Sequence, residues 1–260
     1  MHWYAGTSGY GFKQWVGSFY PDGIKADAML AYYAVHLPAV EIDTTFQRFP
    51  RAQVLEGWAD AVPKDFRFAL KAPRQITHEL KLVDAGAALS QMTHRLEALD
   101  GKLGAVRFQL PAQLQKDIER LRAFAGAIPS ELSAAMDFRH PSWFDDDVFD
   151  VLSRRGIALC VDDAASAAGC DRVATADWVY LRLGPGNRSD AALLGSSRRA
   201  TGAGTEHGFA FFEERGDATG PETAARFLRL AAGNRRAARP PRRASRRPTL
   251  RDRGSIAPGS

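Results

Sequence analysis

Asp137, Arg139 and His140 follow within four residues of one another, directly after the apolar run Leu132 to Met136. A buried strand that ends in an acid, a guanidinium and an imidazole is costly unless those groups meet partners or a ligand. The arrangement recurs along the chain. Ala39-Val-Glu-Ile carries Glu41 towards Asp43, and Phe66 to Leu70 delivers Lys71. Ala105 to Gln109 ends in an amide, Ile157 to Val161 runs into Asp162, and Trp178 to Leu183 contains Arg182. Carboxylates beside an amine suit general acid–base catalysis, with Glu41 or Asp137 as base and Lys71 as acid or as stabiliser of developing negative charge. Asp162 completes the candidate catalytic set. Ser8, Tyr10, Trp15, Arg139, His140 and Arg182 are the candidates for holding a small polar or anionic ligand. The expected outcome of Asp137→Ala is loss of binding or turnover with the fold nearly intact.

Other chemistries find less support. A metal would need Glu41, Asp137, His140 and Asp162 around one ion, yet no two of the six histidines stand at a ligand-pair spacing such as HxxxH; no metal and no cofactor are expected. Ser8 lies in Gly6-Thr-Ser-Gly, which is not a nucleophile elbow, so its hydroxyl reads as a turn or ligand contact. His78 reads as a surface or packing residue. Gly184-Pro-Gly-Asn-Arg188 could offer backbone N–H groups to an anion, helped by Arg182 and Arg188.

Side chains this far apart in sequence meet only if successive strands run the same way. Eight strand-like runs alternate with helical stripes such as Met29, Leu30, Tyr33 and Leu37, or Leu89, Met92, Leu96 and Leu99. Another stripe, Leu114, Ile118, Leu121 and Ala125, predicts a helix starting near Leu114. Alternation of this kind predicts parallel βαβ units, and eight of them predict a (β/α)8 TIM-type barrel, a fold of about 250 residues whose ligands bind at the carboxyl ends of the strands. An open doubly wound sheet is the competitor. Between strands six and seven, residues 162–177 lack a helical stripe. Between strands seven and eight, Gly195 to Gly204 is rich in Gly and Ser, so that helix is expected to be weak or missing.

The 260 residues, 45% hydrophobic and 25% charged, suit one globular domain. No signal peptide and no membrane-length apolar run is visible, and Cys160 and Cys170 make no disulfide framework, so a cytoplasmic protein with no membrane association is expected. Nine arginines and one aspartate lie between Arg235 and Arg253, a surplus of eight positive charges that leaves −3 for the remainder of the +5 total. The division expected is a barrel domain over 1–233 and a disordered basic tail over 234–260. That tail could hold nucleic acid in a salt-dependent way. An enzyme of hydrolase- or lyase-like acid–base chemistry is therefore the first functional expectation. A non-catalytic binding module for nucleic acid or a phosphorylated metabolite is the second.

Several of these stretches carry a family pattern. Gly6-Thr-Ser-Gly-Tyr, Trp15 with Phe19-Tyr-Pro21, Val40-Glu-Ile-Asp-Thr-Thr-Phe46, Phe68-Ala-Leu-Lys71 and Ile76-Thr-His78 resemble the YecE-like family, domain of unknown function seventy-two. Phe108-Gln-Leu-Pro111, Asp137-Phe-Arg-His-Pro-Ser-Trp143 and Tyr180-Leu-Arg-Leu183 continue the match in order. The resemblance runs from about Met1 to Ala232 and implies a TIM-type barrel; it brings no reaction with it. The chain departs from the pattern at Gln47, where the family often has Tyr, at Asp137, where Glu is common, and at Gly184-Pro185, where many members have His-Gly. The stretches from Gly195 to Gly204 and beyond Gly233 depart from it as well.

Overall fold

The computed structural model describes residues 1–163, 173–186, 188–202, 204–213 and 219–237. Eight strands, β1 (His2–Thr7), β2 (Ala39–Ile42), β3 (Arg67–Lys71), β4 (Leu103–Gln109), β5 (Ala134–Asp137), β6 (Ala158–Asp162), β7 (Trp178–Leu183) and β8 (His207–Phe212), form one parallel sheet. Each strand pairs with the next in the chain from β2 to β8, and β1 returns to pair with β8. The barrel expected from the alternation is the fold observed, and the open sheet is excluded.

Period-two alternation separates the two faces of every strand. One face packs outward under the helices: Val40, Phe68, Leu70, Val106 and Met136 belong to that shell. The other fills the barrel. Ala39, Ala69, Ala105, Ala135 and Ala158 give the β2–β6 side small residues, while Trp178, Tyr180, Phe209 and Phe211 fill the space from β7 and β8. Small against large lets one interior close without voids. Further along the same inward positions, towards the carboxyl ends of the strands, the side chains become charged at Glu41, Lys71, Arg107, Asp137, Asp162 and Arg182.

Among the described residues seven α-helices surround the sheet: α1 (Met29–His36), α2 (Ala52–Asp60), α3 (Gly86–Leu96), α4 (Ile118–Ala127), α5 (Asp146–Ser153), α6 (Asp190–Ala200) and α7 (Thr219–Ala237). Three expectations need correction. Leu114 lies in the loop before α4, whose N-cap is Asp117, accepting from Arg120 N–H. The helix expected to be weak or missing is present as α6. Ser189 accepts from Ala192 N–H, Asp190 stands in the first turn, and Arg198 and Arg199 stand in the last, all favourable to the helix dipole. Leu193, Ser197 and Ala200 are buried, so packing overrides the poor propensity of Gly195 and the serines. Finally, α7 continues to Ala237, past the boundary placed at 233. Residues 238–260, and 164–172 of the segment expected to lack a helix, lie outside the described residues.

One seam closes differently from the rest. Between β1 and β2 there is a single bridge, Ser8 to Glu41, with Gly9 N–H donating to Glu41 O at 2.8 Å. Tyr33 supplies what the ladder lacks. Its buried hydroxyl accepts from Thr7 N–H at 2.8 Å and donates to Ala39 O at 2.9 Å. At Gly6 a Cβ would stand 1.8 Å from Ala39 O, so only glycine permits this approach. Tyr33→Phe leaves the buried Thr7 N–H without an acceptor and should cost about 1–3 kcal/mol in urea unfolding. An unchanged unfolding midpoint would show that the hydroxyl is not what joins the seam.

Candidate active site

The inward charged positions meet at the carboxyl ends of the strands, as the parallel topology requires. At their centre is Arg107 on β4, fully buried. Its Nη1 donates to Asp137 Oδ2 at 2.6 Å and its Nη2 to Asp43 Oδ1 at 2.5 Å. Its Nε lies 2.9 Å from Glu41 Oε1. That N–H is not aimed at the oxygen, so this last contact is Coulombic rather than a directed hydrogen bond. Across the barrel Arg182 repeats the pattern, with Nε donating to Glu41 Oε2 at 3.0 Å and Nη1 lying 3.1 Å from Asp162 and 2.9 Å from Glu213. Arg139 closes the ring by reaching Asp137 at 2.9 Å and Asp162 at 2.6 Å through Nη2.

Glu41 is the most constrained member. Ser8 Oγ donates to Oε2 and Tyr180 Oη to Oε1, both at 2.6 Å. Burial pushes its pKa up, but Arg107 and Arg182, then the two hydroxyls, outweigh burial and bring it from 4.5 to about 2. Arg107 is raised well above its ordinary value: burial works against its charge, and Glu41, Asp43 and Asp137 overcome it. Burial raises the Cys160 thiol, so that cysteine is an inert part of the apolar floor.

The sequence-derived candidates separate into two groups. Glu41, Asp137, Asp162, Arg182, Arg139 and Ser8 come together as expected. Glu41, however, is locked as an anion between two guanidiniums, so it positions rather than exchanges protons. Tyr10 lines a cleft of about 500 Å³ that also touches Ser8, Phe12, Asp43 and Trp58. Trp15 is a correction: it is fully buried among Phe12, Phe19 and Tyr20 and presents no surface to the mouth. His140 caps the turn at Pro141–Trp143, its Nδ1 within 3.2 Å of Ser142 N and 2.8 Å of Ser142 Oγ, and no contact joins it to the ring. The loop after β7 is satisfied internally. Asp163 takes the Gly184 N–H at 2.7 Å and pairs with Arg188, filling the place proposed for an external anion. Among the described residues, no cluster of His, Cys, Asp and Glu could hold a metal ion.

Lys71 stands apart. Register sets it beside Arg107, and its Nζ lies 4.1 Å above the Phe46 ring. Its amine makes no hydrogen bond or ion pair among the described residues. Burial lowers its pKa, and Arg107 lowers it further against the opposing pull of Asp43. His78 meets the same ring edge-on, centroids 4.8 Å apart, with Thr77 Oγ1 2.9 Å from its Nδ1. Burial, then Lys71 and Arg74, lower the His78 pKa. His78 was read as packing; it does pack, but at the site. Arg107 went unnoticed, although the alternation that points Gln109 inward points Arg107 inward too. Phe46, in the family stretch, became significant only through its contacts.

Asp137→Ala removes a partner of both Arg107 and Arg139. Contrary to the sequence-based expectation, it should destabilise the fold by about 3–5 kcal/mol, because Arg107 is left buried and under-compensated. Equilibrium unfolding with wild-type stability would contradict this. Glu41 also sets an acid limit. Its folded pKa is depressed, so its contribution is complete above the unfolded value and is lost as pH falls from about 4.5 through about 2. Glu41→Gln should flatten that part of the stability–pH curve, and an unchanged slope would oppose the assignment.

The fold agrees with those of known proteins. A DUF72 family protein from Thermotoga maritima MSB8 superposes with a TM-score of 0.70 and 23% identity, over 90% of this chain and 100% of that one. One from Enterococcus faecalis V583 gives 0.65 at 18% identity, over 89% and 98%. The UPF0759 protein YecE of Escherichia coli K12 is 30% identical over 116 residues, 44% of this chain and 43% of that protein. The chain thus matches less than half the length of that curated relative. Among the described residues no helix is long and apolar enough to cross a membrane. The model of the protein of unknown function DUF72 matches residues 4–247, and the chain belongs to this family.

Proposed function

We propose that this barrel is an enzyme performing acid–base chemistry on a small polar or anionic ligand at the carboxyl-end mouth, with Lys71 as the group that exchanges the proton. The observation that carries the reading is that Lys71, alone among the charged side chains of this layer, stands in no ion pair among the described residues. Five acids (Glu41, Asp43, Asp137, Asp162 and Glu213) and three arginines are cross-linked, and the amine is left over. An amine with depressed pKa becomes neutral at a lower pH than the ordinary 10.5, which suits it to give and take protons. His78, neutral at pH 7 with Nδ1 engaged by Thr77, is the second proton carrier. The carboxylate first assigned as base, Glu41, keeps the role of fixing Arg107 and Arg182. The cleft beside Ser8, Tyr10 and Asp43 is large enough for a small ligand.

Small molecules released on denaturing the native protein identify ligand candidates by mass spectrometry. Each is then followed by NMR for exchange of carbon-bound hydrogen in D₂O. Lys71→Met should slow that exchange by about 10²–10⁴-fold, the usual worth of a proton-transfer group, without loss of stability at neutral pH, since no ion pair is broken. Wild-type exchange in Lys71→Met would end the proposal. The exchange rate should also rise with pH along a limb centred below 10.5, as the neutral amine appears. A limb at the ordinary lysine value would count against Lys71.

A further inference from the structure

We propose that Lys71 also bonds to its substrate, condensing with the carbonyl of a small aldehyde or ketone whose anionic group lies towards Arg74 and Arg95. This rests on the reading of the mouth as the reacting site, but asks more of the amine than proton exchange.

Three observations converge. The first is the missing counter-ion. A lysine kept for charge at a strand end would be expected to pair with a carboxylate, yet among the described residues Nζ makes no ion pair and lies 4.1 Å over the face of Phe46. The second is the neighbour in register. Arg107 is pinned beside Lys71 by Asp43 and Asp137 and cannot move away, and a fixed cation next to an amine favours its neutral, nucleophilic form. The third is a groove adjoining Phe46. It has a volume of about 240 Å³ and is lined by Phe46, Gln47, Arg74, Gln75, Gln91 and Arg95 among others. Its two guanidiniums are weakly used: Arg74 Nε lies 3.6 Å from Glu79, and Arg95 Nη1 lies 3.5 Å from Phe49 O. Lys71 and Arg74 both lie close enough to His78 to lower its pKa, so amine and groove border the same histidine. Phe46 is common to both, lining the groove and lying beneath Nζ, and a carboxylate or phosphate held in the groove is the arrangement proposed for a ligand whose carbonyl reaches the amine.

The condensation balances without a redox partner. The Lys71 nitrogen attacks the carbonyl carbon, forming the C–N bond. The two amine hydrogens pass to the carbonyl oxygen, which leaves as water when the C–O bond breaks. The product is the imine.

The chain has seven lysines, which makes the test direct. Lys102 Nζ is engaged by Ala59 O, and Lys116 by Asp145 and Asp147. The full-length protein is treated at pH 7 with glyoxylate or with formaldehyde, each with cyanoborohydride to reduce imines, and modified lysines are mapped by mass spectrometry. Lys71 should react faster than every other lysine of the chain. The Arg74→Ala/Arg95→Ala variant should lose most of the glyoxylate reaction at Lys71 while the formaldehyde reaction is retained. Modification of Lys71 no faster than that of the remaining lysines overturns the covalent role. Equal glyoxylate trapping in the double variant overturns the anion's position. A Lys71 that fails to trap while Lys71→Met still abolishes proton exchange removes this inference and leaves the acid–base reading standing.

Discussion

The carboxylate of Glu41, without solvent access and held from both sides by Arg107 and Arg182, is the interaction on which the mouth depends. A buried anion is tolerable only with compensation on every lone pair, and here four groups from three segments supply it: Arg107 on β4, Arg182 and Tyr180 on β7, and Ser8 in the loop after β1. Because the partners lie on opposite sides of the barrel, the carboxylate couples strands that share no ladder. Buried ion networks rarely exceed apolar packing in net stability, so what this one contributes is position. Arg107 is oriented by Glu41, Asp43 and Asp137 together, and its orientation decides the field that Lys71 feels.

Beneath the charges lies a floor that explains why they sit so deep. Alanines on β2 to β6 leave half the barrel nearly empty, and the rings of Trp178, Tyr180, Phe209 and Phe211 cross over to fill it. Tyr180 serves both layers, since its ring packs in the floor while its hydroxyl reaches Glu41. The low dielectric of this floor strengthens each ion pair above it and makes any unpaired group expensive. Lys71 is half-buried and rests on an aromatic face, and burial is the largest influence lowering its pKa. It is the place where the layer is electrostatically unfinished.

Much of this could be read from the sequence, because two simple periodicities carried it. Alternating strands ending in Glu41, Lys71, Asp137, Asp162 and Arg182 were enough to predict one charged rim on a parallel barrel. The same period of two should have exposed Arg107, whose place in Ala105-Val-Arg-Phe-Gln109 points it inward beside Gln109; its apolar surroundings hid it. Trp15 failed for the opposite reason. An aromatic residue in a glycine-rich loop resembles a ligand wall, and only the packing of Phe12, Phe19 and Tyr20 around it reveals a plug. The α6 helix was invisible to propensity because its stability comes from Leu193 and Ala200 against neighbouring elements. Which charged residues were saturated and which were free was never legible, since that depends on distances of a few tenths of an ångström.

The central claim is that, among the described residues, one amine of the layer stands outside the ion-pair network. An NMR titration of the lysine side chains, labelled at Cε or Nζ, measures this directly in the unliganded protein. The account predicts one resonance, assigned to Lys71 through its absence in Lys71→Met, that deprotonates below the ordinary 10.5 and below the other lysines. A Lys71 signal titrating at or above the rest would mean that a counter-ion holds the ammonium. The site would then have no unpaired group with which to begin chemistry.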